Sequence, residues 1–221
     1  MTISFENTIK DLIGDSYTSM NGEADALNAA IRWVADALPT ELLLKYAVSP
    51  AEFTDGSAYN TKNKKILRVM RRDEAGGSGG KYRTCRALEK GDFEKASDTN
   101  SMYTATKYSP VYTLWNEGGT PNIVFFPVPT SDQKALLWYF DYPSSTQLTQ
   151  TSYNGLPVTA ELAVCYKAAM LLISNYIKTA VQDDEDSEIL QMLTAQSQNL
   201  QGLLQGELAT MTDTEQKRGT E

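Results

Sequence analysis

The chain has 221 residues, 41% of them hydrophobic, and a formal net charge of −8, which is enough apolar content to build a core for one domain, or one domain with appendages. It contains no histidine and only two cysteines, Cys85 and Cys165. Ser-His triads, Cys-His pairs, HExxH zinc sites and a disulfide framework are therefore excluded, and a reducing origin is the default expectation.

In chain order, residues 4–13 predict a short helix with Ile9, Leu12 and Ile13 inward, ended by Gly14-Asp15. Asn21 is placed to cap a second helix, with Glu23 and Asp25 in its first turn. Leu27, Ala30, Ile31, Val34 and Leu38 then share one face, with Trp33 off its centre. Pro39 stops this helix and Thr40 caps a short third one, ELLLKY. A loop follows over 49–63. KILRVMRR (65–72) and KYRTCRAL (81–88) read as the strands of a long hairpin, 64–88, whose Gly-rich tip at 75–80 has no apolar anchor and is expected to be mobile. Residues 91–98 predict a helical turn. PVYTLWN and NIVFFP form a second hairpin about Glu117-Gly118-Gly119-Thr120. Pro127 and Pro129 force an extended crossing into the strand KALLWYFDYP. That makes about five strands, enough for a small antiparallel sheet or an open barrel.

Pro157 is well placed to open a long apolar helix, because its missing N–H is an orphan there in any case. The longest apolar stretch, 160–173, is broken by Glu161, Cys165, Tyr166 and Lys167, which reads as too short and too polar to span a bilayer, so no membrane is expected among the partners. No basic-then-apolar segment signals secretion. An acidic run at 183–186 interrupts, and 187–211 predicts a last helix with a narrow leucine stripe that includes Leu193, Leu200 and Leu204. Residues 212–221 are expected to be a flexible tail. The class this implies is α+β, mainly α. Helices of 1–48 and 155–211 form a bundle, and an antiparallel β region over 49–154, with long hairpins, is inserted into it.

Charge is unevenly spread. Ten of the 20 basic residues lie between Lys62 and Lys90, while 182–221 carry nine acids against Lys217 and Arg218. Such poles suit head-to-tail association, and each run equally suits a solvated face. Lys64, Lys65, Arg68, Arg71, Arg72, Lys81 and Arg83, with Tyr82, could meet a phosphate backbone, but an acidic chain favours an acidic protein partner. GGSGG is no phosphate loop, since no Gly-Lys-Ser/Thr follows and no helix begins there. The 183–186 run lacks the alternating ligands and the glycine of a calcium loop and reads as a solvated turn. LLWYF (136–140), with Trp138 and Phe140, leaves no polar face, so its strand is covered on both sides or lies in a subunit interface. An aromatic platform for a sugar is the rival reading.

The order of elements, with NAAIRWVADALPTELL, a strand ending WYFDYP and then LPVTAELAVCYKAAMLL, resembles the head-to-tail adaptor (connector, head-completion or neck) proteins of tailed bacteriophages over roughly residues 24–205. The likeness is one of architecture and local flavour, without a signature motif. It implies a helical bundle with an inserted β element, assembled beneath the portal as a ring, commonly of about twelve subunits. It further implies portal and tail or tail-nozzle proteins as partners, a channel through which DNA passes without specific binding, and no cofactor. The place implied is the virion neck, after assembly in the host cytoplasm. The family has no catalytic residues to carry over, so no enzyme activity is expected. On this reading Leu193, Leu200 and Leu204 face a neighbouring subunit or the portal, and the basic hairpin reaches a tail component. The alternatives are a carbohydrate- or receptor-binding virion module and an enzyme using carboxylate chemistry.

Overall fold

A computed structural model describes residues 4–47, 49–74, 80–145, 147–180 and 187–218. The chain forms two compact units, Met1–Tyr46 with Tyr142–Glu221, and Ala47–Asp141. The class is α+β.

In the first unit, α1 (Phe5–Ile13) is capped by Ser4, whose Oγ accepts from the Asn7 N–H at 3.4 Å. Two more of its orphan N–H groups are met by the returning chain: Phe5 donates to Gln150 O and Glu6 to Leu148 O. Residues 142–154 accordingly fall in this unit. A short 3-10 helix, Gly14–Ser19, leads to α2 (Glu23–Ala37). Asn21 does not cap α2. Gly22 takes that place at φ 87°, a left-handed turn that suits glycine, with no side-chain hydrogen bond. Leu27, Ala30, Ile31, Val34 and Leu38 are buried as the stripe requires. In α3 (Thr40–Tyr46) the first bonds run from the N–H groups of Leu42 and Leu43 to Pro39 O.

The hub of this unit is α5 (Val158–Ala180), which packs on α1, α2 and α6. Ala160, Ala163, Ala168 and Ala169 are fully buried and let neighbouring helices approach closely. Contrary to the expectation from its polar breaks, α5 is by length and composition the one described helix that could cross a membrane; half of that window is buried inside the chain, as in a core helix. The last helix, α6 (Ser187–Arg218), has 32 residues and passes beyond Met211, where a flexible tail was expected. Residues 212–218 contain neither glycine nor proline, and Glu215, Gln216, Lys217 and Arg218 are good helix formers. The acidic run at 183–186 and the hairpin tip at 75–79 lie outside the described residues.

The second unit holds two four-stranded sheets where about five strands, in one small antiparallel sheet or an open barrel, were expected. The strands are β1 (Ala51–Phe53), β2 (Tyr59–Asn60), β3 (Lys64–Arg72), β4 (Tyr82–Thr84), β5 (Arg86–Leu88), β6 (Val111–Glu117), β7 (Thr120–Phe126) and β8 (Ala135–Asp141), in the orders β1-β8-β3-β4 and β2-β7-β6-β5. The stretch read as one strand, 81–88, is split at Cys85: β4 runs antiparallel to β3 in one sheet, and β5 runs parallel to β6 in the other. The β region is thus not purely antiparallel. The β6–β7 hairpin closes on Gly118 and Gly119 at φ 59° and 85°, with Glu117 opposite Thr120, the two-residue turn that wants glycine at both positions. Phe53, Val69, Ala135 and Leu137 of the first sheet pack against Ile123 and Phe125 of the second. The second sheet's other face takes α4 (Lys90–Ser97), through Phe93 and Ala96 against Val111, Trp115 and Val124.

Candidate interaction surfaces

The basic hairpin does not present one cationic face. β3 is an interior strand, paired with β8 on one side and β4 on the other, and the pleat sends alternate residues to opposite faces. Arg71 is sent inward and is 1% exposed. Its guanidinium donates to Arg72 O at 3.0 Å, Val128 O at 3.1 Å and Gln133 Oε1 at 3.0 Å. Gln133 in turn donates to Asp73 O at 3.2 Å. Burial lowers the Arg71 pKa from its ordinary value. Arg71 therefore ties the hairpin root to the 128–133 crossing and is not available to a partner.

Other members are neutralised where they stand. Lys64 Nζ lies 3.0 Å from the Asp141 carboxylate and 4.6 Å from the Tyr139 ring centre. Arg83 Nε lies 2.8 Å from Asp73 Oδ2, and the Lys81 N–H donates to Asp73 Oδ1 at 2.8 Å. The Lys81 N–H first, and Arg83 next, hold the buried Asp73 carboxyl below the usual carboxylate range. Lys65 and Arg72 are half-buried, and Arg68 and Lys81 are exposed. This arrangement lacks the unbroken row of cations that a phosphate backbone requires.

The aromatic strand and the leucine stripe are used inside the chain. Ala135, Leu137 and Tyr139 of β8 belong to the core between the sheets, and Leu136 and Phe140 on its opposite face are also buried; Trp138 is half-buried. Phe140, at 2% exposure, is therefore covered without a second subunit. Leu193, Leu200 and Leu204 are likewise buried, on a helix that packs on α5. They sit at the 3.5-residue spacing of a coiled-coil seam, so a narrow stripe suffices for a helix held by one neighbour. Among the described residues no three His, Cys, Asp or Glu side chains gather as metal ligands. Burial pushes both thiols, Cys85 and Cys165, up to about 12, so neither is a ready nucleophile.

Two exposed features were not read from the sequence. A cleft of about 450 Å³ runs along the outer side of α2, lined by Asn28, Ala29, Arg32, Trp33 and Asp36 with Pro143. The Tyr142 hydroxyl donates to Asp36 Oδ1, and the Arg32 guanidinium sits 4.7 Å from the Tyr142 ring centre. Burial, helped by Asp36, pushes the Tyr142 hydroxyl pKa up. Lys167 of α5 stands 4.5 Å from the Trp33 ring centre, and Trp33 remains 41% exposed. The only sign of this in the sequence was Trp33's place off the stripe of α2. The second feature is the tip of the loop between α4 and β6, where Met102 is 99% and Tyr103 77% exposed. Exposure of that kind has no local sequence signal. Beside it, Arg86 and Leu88 of β5 and Asp92, Lys95 and Ala96 of α4 line a second cleft of about 450 Å³ with Tyr103.

What this surface offers is aromatic and charged contact patches on an α+β scaffold, the equipment of a structural or interaction protein. The chain belongs to the SU10 adaptor protein family, whose family model matches residues 4–220. Comparison with curated proteins finds no match. Membership makes the chain a phage structural adaptor, a component of the virion that contacts other virion proteins, and implies a role that is not enzymatic.

Proposed function

We propose that this protein is a ring-forming adaptor at the virion neck, joining the portal to the tail and extending the DNA channel. The observation that carries the proposal is the family match over residues 4–220, nearly the whole chain. The helices around α5 are read as a bundle and the β unit as a platform inserted between its halves, each with its own core. Portal and tail or tail-nozzle proteins are the partners, and about twelve copies close the ring, a count that suits closed cyclic symmetry. DNA passes without specific contact, in keeping with the burial of Arg71 and the ion pairs of Lys64 and Arg83 on the hairpin. Assembly takes place in the host cytoplasm.

The test is electron microscopy of purified particles, together with native mass spectrometry of the protein alone and mixed with its portal. The expected result is a closed ring at the portal–tail junction and a complex that forms with the portal. Particles that carry this chain elsewhere, or a protein that leaves the portal unbound, sink the reading.

A further inference from the structure

The α2 cleft and the Met102–Tyr103 tip are complementary in polarity and in charge. We propose that the tip of one copy seats in the α2 cleft of the next, forming a head-to-tail contact; this deepens the ring reading and rests on it.

The tip is built to insert. Two large apolar side chains stand almost fully in solvent, on a loop whose backbone is pinned from several sides. The Asn100 N–H donates to Asp98 Oδ1 at 2.9 Å, the Tyr103 N–H to Ser101 Oγ at 3.1 Å, and the Ala105 N–H to Ala96 O at 2.9 Å. The Thr104 hydroxyl donates to Ser101 O at 2.6 Å. A loop already held in one conformation loses little entropy when it docks, so more of its apolar burial appears as affinity. The cleft is built to receive. At about 450 Å³ it is large enough for such a pair, and Ala29, Trp33 and Pro143 give it an apolar wall.

Charge favours this pairing. Near the tip, Lys95 is paired with Asp92 at 3.1 Å and Lys107 with Glu74 at 3.8 Å. Glu94 and Asp98 are exposed, and neither has an ion-pair partner among the described residues. Arg86, exposed in the cleft beside Tyr103, offsets one of these carboxylates, so the tip keeps a single net negative charge. At the cleft, Asp36 keeps its charge while accepting from the Tyr142 hydroxyl and is balanced by Arg32 of the same lining, while Lys167, poised over Trp33, has no carboxylate partner among the described residues. A negative tip thus meets a positive wall. Because tip and cleft are different patches of one chain, the contact is heterologous, the kind that propagates from copy to copy and closes into rings.

The test uses the full-length chain carrying Ala29→Cys and Met102→Cys together, assembled on portal protein and treated with a short bis-maleimide. Both positions are exposed, so the variant should fold. Both native thiols are buried and stay silent. The expected result is a ladder of covalently joined copies on a denaturing gel, with none from either single variant. Rings seen by electron microscopy without a ladder overturn the contact and leave the ring reading standing. A cross-link from the Met102→Cys thiol to a different virion protein overturns it in the same way, and absence of rings from the unmodified chain overturns both. As a second arm, Lys167→Glu and Glu94→Lys should each lower ring yield about tenfold, and the two together should restore most of it, as in a double-mutant cycle. Unchanged yield from both single variants also overturns the contact.

Discussion

Arg71 shows how far a residue's role depends on its neighbours. In the sequence it is one of a run of cations; in the fold it bridges Arg72 O, Val128 O and Gln133. Arg71→Met should cost about 2–4 kcal/mol of stability, because it strands buried acceptors, and Arg71→Lys should not rescue it, since an ammonium lacks the planar fork. Urea unfolding of the three proteins checks this, and a loss below about 0.5 kcal/mol for Arg71→Met would count against the bridge. Asp73 gives a pH prediction. Its folded pKa is depressed, so its stabilising effect is present above the unfolded value of about 3.9 and is lost as pH falls through the folded value. Thermal melts from pH 6 downward should show Asp73→Asn less acid-sensitive than the parent below about pH 5; parallel curves would remove Asp73 from the account. None of this was legible beforehand. Composition excluded histidine and disulfide chemistry outright, but which cation of β3 points inward depends on cross-strand register.

At the scale of elements, α6 carries the sharpest revision. With Leu193, Leu200 and Leu204 buried in its own unit, removing everything after Asp186 should destabilise the helical unit and not leave a folded monomer. Leu200→Ala alone should cost about 2–5 kcal/mol. Circular dichroism melts settle both, and a truncated protein with an unchanged helical melt would return α6 to the role of an arm for a neighbour. The helices were legible because each repeats its apolar spacing over several turns, and the β6–β7 hairpin because Gly118-Gly119 is a strong turn signal. β1 and β2, three and two residues long, are too short to show a period. The division of 81–88 between two sheets had no local sign either. β5 is held by Val111, Tyr112 and Thr113, more than twenty residues on, and nothing near Cys85 announces that partner.

For the whole molecule, the proposed tip–cleft interface, with charged rims and an apolar centre, should respond to salt only in part. Exposed pairs are screened over about 10 Å at 0.1 M, while burial of Met102 and Tyr103 is not. Ring assembly followed by light scattering should weaken modestly between about 0.05 and 0.5 M salt, whereas Met102→Ala should weaken it at every salt concentration. Loss of all assembly at high salt would assign the contact to charge alone. The split at Cys85 has a mechanical meaning as well. Residues 82–84 are bonded into one sheet and 86–88 into the other, with the Cys85 N–H held by Val69 O at 2.9 Å. Cys85 also sits in the core that both sheets share, with Val69 and Leu137 of one and Ile123 and Phe125 of the other, so neither sheet can be pulled away without opening that core. Stretched between its ends by optical tweezers, residues 47–141 should give way in a single step; two separated steps would show the sheets yielding one at a time. If the chain stands where we propose, at the neck, a part loaded each time DNA is driven through would then either hold whole or yield whole.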